Sequence, residues 1–172
     1  MLLAFWMVQR LTREINTLEL QAMRKQTELT QHQKYAGMLG GSSTITALNI
    51  AGLSSNLIPR ASIFAQFSEQ ASSMHAMQQV QMMKMSGMMP YNMQNPMMQM
   101  QIEMSAFNQF KQEAMKQMKQ QEAAVLNEVE KEIQLELNHI EMQLKMKRQQ
   151  LENYKQLASN NLKNCLPTFG LG

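Results

Sequence analysis

Two pairs of methionines, Met83-x-Met85 and Met98-x-Met100, have the spacing that could hold a soft metal ion, with His75 nearby as a further donor. Thioethers are soft ligands and can select Cu(I). They sit in a longer methionine tract, Met74 to Met104, in a chain of 172 residues that carries 20 methionines. Packing explains the tract more plainly. Methionine fills irregular gaps between helices and keeps a high helix propensity. The same habit continues at Met115, Met118, Met142 and Met146, where no cluster forms. No cofactor is expected.

Nothing else in the chain has the spacing of a reaction centre. His32, His75 and His139 are far apart, and none has a metal-ligand partner three or four residues on. There is no aspartate, which removes the usual members of catalytic triads, carboxylate dyads and calcium loops. No phosphate loop, Gly-x-Ser-x-Gly or Cys-x-x-Cys occurs. The one cysteine, Cys165, cannot make an internal disulfide and reads as a small hydrophobe near the end of the last helix. The chain is therefore expected not to be an enzyme.

Behind these residues lies an all-α pattern. Residues 96–163 read as one long helix in which Phe107, Met118, Val129, Ile140, Leu151 and Leu162 recur every eleven positions. Met104, Met115, Leu126 and Leu137 form a second such row, which ends at Arg148. Eleven residues in three turns predict a nearly straight stripe with a slight right-handed drift. Residues 1–36 show a different period. Ala4, Val8, Leu11, Ile15, Leu18 and Ala22 alternate steps of four and three, the seam of a coiled coil or bundle. The mismatch in period predicts that the two helices touch over a few turns only and find their main partners in other copies.

Between them, residues 37–59 are rich in small residues and read as a loop or short helix. Gly37, Gly40 and Gly41 stop the first helix, and Thr44–Ile50 is also β-branched enough for a strand. Residues 60–95 form the Met-rich second helix, which Pro59 opens and a bend framed by Gly87, Pro90 and Pro96 ends. Ile63, Phe67, Ala71 and Met74 share one of its faces. Residues 164–172 are an apolar tail. The expected architecture is an elongated helical hairpin or bundle with one very long C-terminal helix, coiled-coil-like and completed by oligomerisation.

Charge is distributed unevenly. The net charge of +3 is too small to imply nucleic acid. Residues 36–110 carry only Arg60, Glu69, Lys84 and Glu103, so this segment is poorly protected against association. In the long helix Glu128, Glu130, Glu132 and Glu136 precede Lys145, Lys147 and Arg148, which would place acid opposite base in an antiparallel pair.

These features point to a non-enzymatic structural subunit of a multi-copy assembly: a virion or tail part, a secretion or flagellar axial component, or a filament. Its partners would be copies of itself and other structural subunits. The expected assembly interface is Val8, Leu11, Ile15 and Leu18 together with Phe107, Met118, Val129, Ile140, Leu151 and Leu162. The alternative is a membrane-associated helical protein with residues 1–8 as an apolar foot and 36–59 as an inserted hairpin. The opening run Met1–Val8 has no preceding basic region and no cleavage site, so it is not read as a signal peptide. The protein is expected in the cytoplasm or within an assembly, with membrane association as the alternative.

Overall fold

The computed structural model describes residues 2–40, 50–89 and 96–165, with side chains described from residue 3 and as far as residue 160. The described residues form three helices and no strand: α1 (Leu2–Gly40), α2 (Leu57–Met85) and α3 (Pro96–Cys165). The expectations for residues 44–49, for the bend at 90–95 and for the tail at 166–172 fall outside the described residues. The chain divides into two compact units, residues 1–30 with 130–172 and residues 31–129.

In the first unit α1 and α3 run antiparallel. Lys147 Nζ meets Glu14 Oε2 at 2.6 Å, Arg148 meets Glu19 at 2.7 Å and Lys25 meets Glu136 at 2.7 Å, so the partner of Lys25, well after Glu14 on α1, lies well before Lys147 on α3. Leu11, Ile15 and Leu29 of α1 are buried, as are Ile133 and Leu144 of α3.

The buried and half-buried positions of α1 here are 4, 8, 11, 15, 18, 22, 25 and 29, with Met7, Glu14 and Glu19 beside them. Those of α3 are 130, 133, 137, 140, 144, 147, 151, 154 and 158, with Gln143 beside them. Both series step by four and three. The expectation that these helices would follow different periods and part after a few turns is therefore corrected: along this unit they share one period and one chain. The reason is arithmetic. A four-three series contains steps of eleven, such as Ile133 to Leu144 and Ile140 to Leu151, so short eleven-residue rows arise inside a seven-residue seam.

The second unit is a small bundle built from the end of α1, residues 50–56, α2 and the first part of α3. Its core is Tyr35, Leu39, Ile50, Leu53, Leu57, Ala61 and Leu126, with Phe64 and Ala123 packed against it. Residues 50–56 are tied down on α1: Lys34 Nζ donates to the Gly52 carbonyl at 2.7 Å, and the Ser54 N–H donates to Gln31 Oε1 at 3.2 Å. The described ends of the 36–59 segment thus fold back onto the bundle.

Glycine and proline mark the end of α2 and the start of α3. Gly87 follows α2 at φ 68°, a left-handed conformation in which only glycine is unstrained, and the Met89 N–H closes back on the Met83 carbonyl at 3.3 Å. Pro96 begins α3, where its missing N–H leaves no helical bond unmade.

Candidate assembly interface

The packing of α2 on α3 decides which side chains are left for anything else. Three ion pairs join the two helices antiparallel: Arg60 with Glu122 at 2.6 Å, Glu69 with Lys111 at 3.4 Å and Lys84 with Glu103 at 2.7 Å. All four charges of residues 36–110 are engaged in these three pairs. The Arg60 pair is the most enclosed. Its Nε donates to Glu122 Oε1, and the buried Tyr35 hydroxyl donates to the same oxygen at 3.2 Å. Burial first, and then the Glu122 charge, pushes the Tyr35 phenol far above its ordinary value. The Glu122 hydrogen bond holds Arg60 above its own. One carboxylate thus ties together α1, α2 and α3.

The side of α2 facing inward is small. Ala61, Ser68, Ser72, Ala76 and Val80 are buried, at spacings of seven, four, four and four, and Ala114 of α3 is buried as well. Small side chains allow helices to approach closely. The serines carry no unmet hydroxyl, because Ser68 donates to the Ala65 carbonyl at 3.3 Å and Ser72 to that of Glu69 at 3.1 Å.

Leu57 and Phe64 turn into the core with this side, whereas most of the other large apolar residues of α2 point the other way. At 100° per residue, Ile63, Phe67, Met74, Met77 and Met85 lie opposite the Ala61–Val80 stripe. They are 67, 64, 66, 58 and 83 % exposed. The face marked in the sequence by Ile63, Phe67, Ala71 and Met74 is thus mostly the outer one, with only Ala71 half-buried. The sequence marks these residues as one face without saying which way it points; the run of Ala and Ser at helical spacing is the signal for the inward side.

The residues expected to meet other subunits are placed differently. Leu11 and Ile15 are buried within the first unit, and Val8 and Leu18 are half-buried there. Phe107, Met118, Val129, Ile140 and Leu151 are half-buried, and the side chain of Leu162 lies outside the described residues. The chain turns these faces largely toward itself. Lys147, Arg148 and Glu136, read as setting an antiparallel register, do so against α1 of the same chain. Exposed apolar residues elsewhere include Leu3, Phe5 and Trp6 at the start of α1, with Arg10 lying 5.6 Å over the Trp6 ring, Met97, Met100 and Met104 at the start of α3, and Leu135, Met142 and Met146 further along it.

The copper candidates do not converge within either helix. Met83 and Met85 lie two residues apart on α2, about 200° around the axis, and Met98 and Met100 repeat that separation on α3. Each pair therefore diverges from a common ion. His75 is exposed two turns or more before Met83. Among the described residues no group of three His, Cys, Asp or Glu could hold a metal. His139 contacts Gln143 at 2.8 Å, whereas His32 Nδ1 and Glu130 Oε1 are buried without a hydrogen-bond partner.

No described helix is long and apolar enough to cross a membrane. No protein-family model, curated protein or solved structure matches the chain.

Proposed function

We propose that this protein is a non-enzymatic structural subunit of a multi-copy assembly, held to its neighbours by helix–helix packing of the coiled-coil kind. One observation carries the reading. After the chain has packed on itself, more large apolar side chains are exposed than buried among the described residues. The largest apolar patches on ordinary monomers are a few hundred Å² and are commonly functional. Ion pairs and seams support the same reading, because they fix each helix in place and leave its outer face for partners.

The test is the native particle. The full chain, isolated at micromolar concentration and examined by sedimentation velocity, is expected as an oligomer or larger particle. A monodisperse monomer would remove the proposal.

A membrane-contact reading rests on one feature, the exposed Leu3, Phe5 and Trp6 with Arg10 beside them. Aromatic and basic residues together suit a lipid interface. Flotation of the full chain with anionic vesicles is its test, and recovery of all protein in the unbound fraction would remove it.

A further inference from the structure

We infer that the outer face of α2 is the surface on which a second copy of this chain packs, α2 against α2, antiparallel about a two-fold axis at Met74. This rests on the assembly reading and assigns it a surface.

The first support is area. Ile63, Phe67, Met74, Met77 and Met85 are each more than half exposed. At ~150–250 Å² for an aromatic side chain Phe67 alone offers about 100 Å² or more, and the four aliphatic side chains beside it extend the patch toward the ~800 Å² that each partner of a standard interface contributes.

The second is charge. Arg60, Glu69 and Lys84 are the only charged residues of α2, and all three pair with α3. Between its large apolar residues the outer face holds Gln70, Gln78 and Gln81. It presents no charge beyond those already committed to α3, so a charged partner would find nothing to pair with. An identical face matches it without desolvating any unpaired ion. In a two-fold contact the same patch serves both sides.

The third is direction. Ile63, Met74 and Met85 are spaced by eleven, so the stripe runs almost parallel to the helix axis. From Ile63 to Met85 that is about 33 Å of usable contact. An antiparallel pairing centred on Met74 sets Ile63 against Met85 of the other copy and covers the whole stripe. Unbranched thioethers adapt to each other across such a seam.

The experiment uses the full chain with Cys165→Ser as background. Phe67→Glu with Met74→Glu should weaken association about 100-fold or more, because each carboxylate would be buried without a partner. The thermal melt of the dilute chain by circular dichroism should be unchanged, since both side chains are exposed in the single chain. Met74→Cys should form a disulfide between copies, because residues at the axis meet themselves at the ~5.5 Å Cα separation a disulfide needs. Met85→Cys should not. Association that survives the double glutamate variant would overturn the inference and leave the assembly reading standing on other faces. Self-cross-linking at Met85 as fast as at Met74 would overturn the antiparallel arrangement. A wild-type monomer at all concentrations would overturn both.

Discussion

Glu122 is the polar crossing point of the second unit. It accepts from Arg60 and from the buried Tyr35 hydroxyl, and so joins three helices through one side chain. Removing one member of such a set leaves the others desolvated and unmet, which costs more than the pair itself contributes. Glu122→Ala should therefore lower unfolding stability by about 2 kcal/mol in denaturant titration, the partial exposure of Arg60 keeping it below the full buried-pair cost. Loss of the Tyr35 hydroxyl alone, in Tyr35→Phe, should cost about 1 kcal/mol. Acid should act through Glu14 and Glu103. Hydrogen bonds from Lys147 and then Arg10 hold Glu14 below its ordinary value of 4.5, and Lys84 does the same for Glu103. A carboxyl depressed by folding binds its proton less well folded than unfolded. Its contribution is present above 4.5 and is lost as pH falls through the depressed values. Lys25 is raised above 10.5 by Glu136 and then Glu28, so its contribution is present below 10.5 and lost as pH climbs through the raised value. The melting temperature should stay nearly level between these limits and decline beyond each, which a pH series of thermal melts reads directly.

At the scale of the helix, the existence of three helices is legible in apolar spacing, Gly and Pro, although α1 runs through Gly37 to Gly40 and α2 begins at Leu57, ahead of Pro59. Their faces are less so. The eleven-residue rows of α3 are real in the sequence, but the fully buried positions are Ala114, Leu126, Ile133 and Leu144, and the first row is only half-buried. A partner decides which of two overlapping periods is used, and the sequence does not name the partner: α1 of the same chain, with a seven-residue seam, selects the seven-residue set. In α2 the cause is different. Ile63 and Phe67 share a face in the sequence, but which way that face points follows from the close approach that Ala61, Ser72 and Ala76 allow, which puts the small face inward. One comparison still separates the seam from the outer surface of α3. Ile140→Asp should destabilise by about 3 kcal/mol, as an unpaired carboxylate in a packed seam, whereas the exposed Met142→Asp should stay within about 0.5 kcal/mol. Equal losses in chemical denaturation would mean that the seam runs elsewhere.

For the molecule as a whole, the scarcity of charge in residues 36–110 is the most legible signal and the least specific. It announces poor protection against association but does not say that those few charges are committed to the α2–α3 register. That commitment makes two forces respond oppositely to salt. Screening weakens exposed ion pairs, while sulfate strengthens burial of apolar surface. Raising ammonium sulfate should therefore increase particle size in light scattering before any helix is lost by circular dichroism. A particle that dissociates as salt rises would show that charge, rather than the apolar surface, holds the copies together.

The exposed thioethers of α2 also make the surface chemically perishable. Oxidation converts methionine to its sulfoxide, a polar and chiral group that an apolar contact cannot accept. Met74, Met77 and Met85 stand open in the single chain. A brief peroxide pulse should therefore label them readily in dilute protein and spare them in the assembled particle, with peptide masses reporting the difference. Methionine sulfoxide reductase would then restore assembly competence to the oxidised chain. The same atoms that make the stripe adaptable would give it a reversible oxidative off-state.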